Sequence, residues 1–159
     1  KKKEDAAEKG TDVHALIEGW VRSQIDGYVA DIDYAPIQPF IAWARDNSIR
    51  FLETEKRLYS KEHWIAGTCD LVFEKDGKRY VGDIKTYKKI WDRLPLIQCA
   101  GYGMMLTEMG EQVDGYCIIN LPKERPFNEV EDVRWSFDVE GDREAFLAAL
   151  KLYKTLNNF

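Results

Sequence analysis

The sequence predicts a mixed α/β domain, a central mixed β-sheet flanked by helices. Three observations carry this. Apolar residues recur at helical spacing near both ends of the chain, but at a period of two over residues 50–87. Asp76-Gly77 joins two of the alternating stretches, a strong hairpin signal. A stretch with Pro95 in its first turn and Gly110 at its end then separates these strands from later ones, as a helical crossover would. The 159 residues, 45% hydrophobic and 32% charged, suit one soluble domain able to bury a core.

In chain order, residues 1–10 are charged and read as a flexible N-terminal segment, with a single domain over residues 11–159. Val13, Leu16, Ile17, Trp20, Val21 and Ile25 form a helical stripe to about Tyr28, with Thr11 or Asp12 as N-cap. Pro36 and Pro39 open a short helix from Ile37 to Asp46. Strands are expected at 50–59, 64–74 and 79–87, a helix to about Met109, and strands near 115–121 and 133–139. Glu140 or Asp142 begins a last helix whose stripe is Phe146, Ala149, Leu150 and Tyr153.

Composition narrows the function classes. No apolar run reaches the length of a membrane-spanning helix, and the first ten residues lack the apolar region of a secretory signal. The sequence does not begin with Met, which fits a piece of a longer protein. A net charge of -5 argues against a nonspecific nucleic-acid coat but not against one local groove. Cys69, Cys99 and Cys117 are odd in number and widely spaced. They read as buried thiols of a reducing compartment, the cytoplasm by default, not a disulfide frame or a metal cluster.

The Asp-Gly hairpin brings chemistry together. With Asp76 and Gly77 as a two-residue loop, Val72 faces Val81, Phe73 faces Tyr80, Asp70 faces Asp83 and Thr68 faces Lys85. Facing side chains lie ~5 Å apart. Two carboxylates at that distance repel by about 3 kcal/mol at an effective dielectric near 20. Such a pair needs water, a shared proton or a cation. Lys85 shares a strand face with Asp83, and hard oxygen ligands suit Mg²⁺ or Mn²⁺. An Asp-Ile-Lys run is otherwise the wet face of an amphipathic strand.

Gly67-Thr68-Cys69-Asp70-Leu71-Val72, Gly82-Asp83-Ile84-Lys85-Thr86 and Gln98-Cys99-Ala100-Gly101-Tyr102 resemble the three signatures of the PD-(D/E)xK nuclease superfamily. Gly10-Thr11-Asp12-Val13-His14 is similar to the N-terminal helix motif of its RecB-like exonuclease branch, which includes phage nucleases. The resemblance implies a restriction-endonuclease-like core of αβββαβ order with added terminal helices. It also implies metal-dependent, exonuclease-type hydrolysis of DNA. Asp70 and Asp83 would be metal-binding acids, joined by the Ile84 carbonyl and by His14. Lys85 would hold or activate the attacking water, and Gln98 and Tyr102 would shape the site and contact substrate. Glu55 would sit at an outer position or serve a second metal. The Pro of the family name is absent, since Cys69 precedes Asp70. No helicase motif is present in this sequence, so a helicase or recombination partner would lie on another chain or on a part of the protein outside it.

Plainer readings stand beside these. His14 has Glu18 one turn later and could form a surface pair with it. Glu53 and Glu55 alternate on the first strand and could be solvated. Gln98 and Tyr102 could be ordinary helix residues, and His63 an exposed one. Trp43 and Trp135 fit core packing. Trp91 stands among Lys88, Lys89 and Arg93; this segment either grips a single strand by stacking and phosphate contact or merely solvates its charges. A nuclease-fold module that no longer cuts is the alternative to an active enzyme.

Overall fold

The computed structural model describes the backbone of residues 2–158 and the side chains of residues 13–158. Its helices are α1 (Lys2–Asp26), α2 (Gln38–Asp46), α3 (Leu94–Glu108), α4 (Glu129–Asp132) and α5 (Val139–Asn157). Its strands are β1 (Arg50–Ser60), β2 (Ile65–Lys75), β3 (Lys78–Lys85), β4 (Gly115–Asn120) and β5 (Val133–Ser136). They form one sheet in the order β1-β2-β3-β4-β5. All pairs are antiparallel except β3–β4, and α3 provides the crossover that a parallel pair requires. The mixed sheet flanked by helices is the architecture expected.

The expected Thr11 or Asp12 cap lies outside the described side chains. The helix starts well before it, at Lys2. Lys, Glu and Ala, which dominate that stretch, are strong helix formers, so a lack of apolar residues did not mark a boundary. The last helix is capped by Asp138, whose carboxylate accepts the Gly141 N–H, not by Glu140 or Asp142.

Each sheet face carries its own core. Trp20, Phe40, Trp43, Phe51, Phe73 and Tyr80 pack on the side of α1 and α2. Cys69, Val72, Val81, Cys99, Met105 and Tyr116 pack on the side of α3. Trp43 is buried and Trp135 packs against the first core, with its ring edge-on to those of Phe73 and Tyr80. Such pairs add about 0.5–1.5 kcal/mol beyond burial. This aromatic block fixes the turn-proximal half of β2 and β3.

Asp76 and Gly77 have φ of +53° and +77°, as a type I′ turn demands. The register follows: Lys75 pairs with Lys78, Phe73 with Tyr80, Val72 with Val81, and Leu71 with Gly82. The β2–β3 ladder stops there, so Thr68 and Lys85 do not form the expected ladder pair. At the same level, alternation slips. Leu71 belongs to the α1 side and Cys69 to the α3 side, although a regular strand would place both on one face. The sheet loses its regularity at Asp70.

Candidate functional site

Where the ladder ends, a side chain replaces it. The Ile84 N–H donates to Asp70 Oδ2 at 2.7 Å. Asp70 also shares a hydrogen bond with the Asp83 carboxyl, so the two acids meet just beyond the last ladder pair, Leu71–Gly82. Burial pushes the Asp70 carboxyl up to about 8, helped by the hydrogen bond and charge of Asp83. A carboxyl raised in this way favours the protonated form, one of the three remedies for facing carboxylates.

Lys85 Nζ lies 2.9 Å from Asp83 Oδ2 and donates to Gln98 Oε1 at 3.4 Å. Burial works against its charge, but the hydrogen bond and charge of Asp83 outweigh it, and the ammonium sits above its ordinary pKa. His14, from α1, places Nε2 2.9 Å from the Ile84 carbonyl oxygen and 4.0 Å from Asp70 Oδ2. Glu18 pairs with Arg22 at 3.0 Å. His14 thus belongs to the acid cluster, whatever else it touches.

Glu55 is closer to the site than expected. Its φ is +48°, a conformation a non-glycine residue adopts at a cost and seldom without a local reason. Its carboxyl hydrogen-bonds Asp70, and burial together with the Glu18 charge raises its pKa. Glu53 does not share that environment. It binds Lys56 at 2.7 Å, whereas Glu55 meets Asp70 and the Glu18 charge, so the two glutamates do not act together.

Gln98 and Tyr102, one turn apart on α3, line a cavity of about 220 Å³ with Ile65, Met105 and Phe146. Gly67 makes the Tyr102 position: a Cβ there would stand 3.0 Å from the ring. Burial and then the Asp83 charge raise the Tyr102 hydroxyl, so it senses the acid cluster. His63 is half-buried, 3.8 Å from Glu62, and stands apart from these residues. Arg93 is also committed elsewhere: its guanidinium binds Asp142 at 2.7 Å and Ser136 at 3.1 Å.

Two features escaped sequence reasoning. Glu18 acts electrostatically on Glu55, and its signal was the one-turn spacing from His14, read only as a pair between those two. Asn120, at the end of an otherwise apolar strand, accepts the Tyr87 N–H at 2.8 Å and donates to the Tyr87 carbonyl at 2.9 Å. A fully buried amide in such a strand was the available sign.

The site offers carboxylates at Asp70, Asp83 and Glu55, an imidazole at His14 and a carbonyl at Ile84. Among the described residues, no three His, Cys, Asp or Glu side chains already stand in a metal-holding arrangement. Asp70 accepts the Ile84 N–H, and Asp83 pairs with Lys85.

No family model matches the sequence, and no curated protein matches it. Among solved structures, one described as "Crystal structure of SSO0001" aligns with 95% of this chain and 70% of its own, at 15% identity and a TM-score of 0.38. A likeness of that size carries no argument. No helix among the described residues is long and apolar enough to cross a membrane.

Proposed function

We propose that this chain is a divalent-metal-dependent deoxyribonuclease of exonuclease type, with a restriction-endonuclease-like core of the PD-(D/E)xK kind. The observation that carries the reading is the meeting of Asp70 and Asp83 from adjacent strands, with Lys85 bound to Asp83. DNA is the substrate, Mg²⁺ or Mn²⁺ the cofactor, and the cytoplasm, which suits three buried free thiols, the compartment.

The donor types fit such an ion: the carboxylates of Asp70 and Asp83 and the Ile84 carbonyl are hard oxygens, and the His14 imidazole stands 2.9 Å from that carbonyl and 4.0 Å from Asp70. His14, Asp70, Asp83 and the Ile84 carbonyl would hold the metal, with Glu55 at an outer position. The bound ion supplies an acidified water and a polarised phosphate.

The protein's own residues do the rest. Lys85 stays an ammonium, since Asp83 raises its pKa, and so it orients the water and offsets negative charge rather than abstracting a proton. Gln98 holds the Lys85 side chain by its amide oxygen. Tyr102, fixed against Gly67, bounds the substrate side.

A digestion panel of linear, circular, single-stranded and duplex DNA with Mn²⁺ or Mg²⁺ tests this. Linear DNA should shorten from its ends, chelation should stop the reaction, and Lys85→Ala should lower the rate by about 10²–10³-fold, as loss of a transition-state donor does, while folding persists. No metal-dependent cleavage would leave a nuclease-fold module that does not cut. Unchanged turnover in Lys85→Ala would overturn the assigned site.

A further inference from the structure

The segment joining β3 to α3 starts next to Lys85 and is held in place at several points. Asn120 binds both backbone groups of Tyr87. Arg125 Nε donates to the Lys88 carbonyl at 3.1 Å and pairs with the fully buried Asp132, which Asn120 also contacts. Ile90 is 8% exposed and belongs to the α3-side core. Between and beyond these anchors, Lys88, Lys89 and Trp91 face solvent. Trp91 is 79% exposed, and Lys89 Nζ stands 4.9 Å from its ring centroid.

An indole left in water forgoes a large burial gain, and here it stands between Ile90, packed in the core, and Arg93, paired with Asp142. Trp91 is not a loose loop tip. The same strap leads to the acid cluster, since the exposed Tyr87 ring lies 5.5 Å from Lys85 Nζ. On a chain of net charge -5, a pair of lysines beside an aromatic face is a local invitation to an anion with a flat surface.

We infer that this strap is a docking platform for single-stranded DNA. Trp91 stacks on an unpaired base while Lys88 and Lys89 hold the flanking phosphates, feeding the strand past Tyr87 toward Lys85. Arg93 takes no part, being bound to Asp142. A duplex offers no free base face to the indole, so the platform selects unpaired strands. The choice of DNA rests on the deoxyribonuclease reading.

The test is fluorescence anisotropy of labelled dT12 with the full chain in EDTA, beside a duplex closed by loops at both ends. Stacking contributes about 1–3 kcal/mol per base, so Trp91→Ala should weaken dT12 binding about 5- to 150-fold, and Trp91→Phe should restore most of it. The closed duplex should change by less than about two-fold, as it offers no base face. Lys88→Ala with Lys89→Ala should reduce the salt slope by about 1.4, given about 0.7 per single-strand phosphate contact. Equal dT12 affinity for wild type and Trp91→Ala, or no dT12 binding by the wild type, overturns the inference and leaves the exposed indole to a protein partner. Because EDTA prevents hydrolysis, the two proposals fail separately. Binding through Trp91 without any Mn²⁺-dependent cleavage sinks only the nuclease reading. Cleavage with an indifferent Trp91 sinks only the platform.

Discussion

The surroundings of Asp70 favour its protonated form. The group is raised to about 8 by burial and by Asp83, against about 3.9 in an unfolded chain. Between those values the unfolded chain is ionised and the folded one protonated, so stability falls as pH rises from about 4 to about 8. The penalty is complete above 8 and absent below 4. Asp70→Asn, which keeps the shape and loses the acid, should therefore raise the melting temperature of chelated protein at pH 8 and make little difference near pH 4. Thermal denaturation at both pH values reads this directly; a variant less stable than wild type at pH 8 would contradict the strained acid pair. The closeness of Asp70 and Asp83 was legible because the turn sets the β2–β3 register up to Leu71 and Gly82, one step short of the two acids. The left-handed backbone of Glu55 and the reach of Glu18 were not, since each depends on how α1 and β1 approach each other across residues far apart in the chain.

At the scale of elements, the β2–β3 hairpin sets the site and its turn sets the hairpin. Gly77 has φ +77°, a region that costs an L-residue about 1–2 kcal/mol. Gly77→Ala should lower unfolding free energy by about that amount in a denaturant titration, without moving Asp70 relative to Asp83. A loss well above 3 kcal/mol would mean that the register depends on more than the turn. Strands and long helices were readable because their apolar periods span several repeats. The four-residue α4, capped by Asn128 through the Val130 N–H, is too short to show a period at all. The slip in alternation at Asp70 was hidden for a related reason: composition there does not change, and only the end of the ladder reveals it.

Taken whole, the molecule places its acid cluster where regular pairing gives out. One face of the sheet is closed by α1 and α2, the other by α3 with Phe146 of α5. His14 enters from the first layer, Gln98 and Tyr102 from the second, and the splayed ends of β2 and β3 lie between them. Sequence periodicity could foresee the layers, but not that the irregular point of the sheet and the meeting of both layers coincide. The proposed role of that point is to exchange a shared proton for a divalent ion. Calorimetric titration of Mn²⁺ at pH 7 in two buffers of different ionisation enthalpy counts the protons released. With Asp70 near 8, wild type should release close to one proton per ion bound, and Asp70→Asn should release none from this group. Heats that are independent of the buffer in wild type, or identical in the two proteins, would contradict the account.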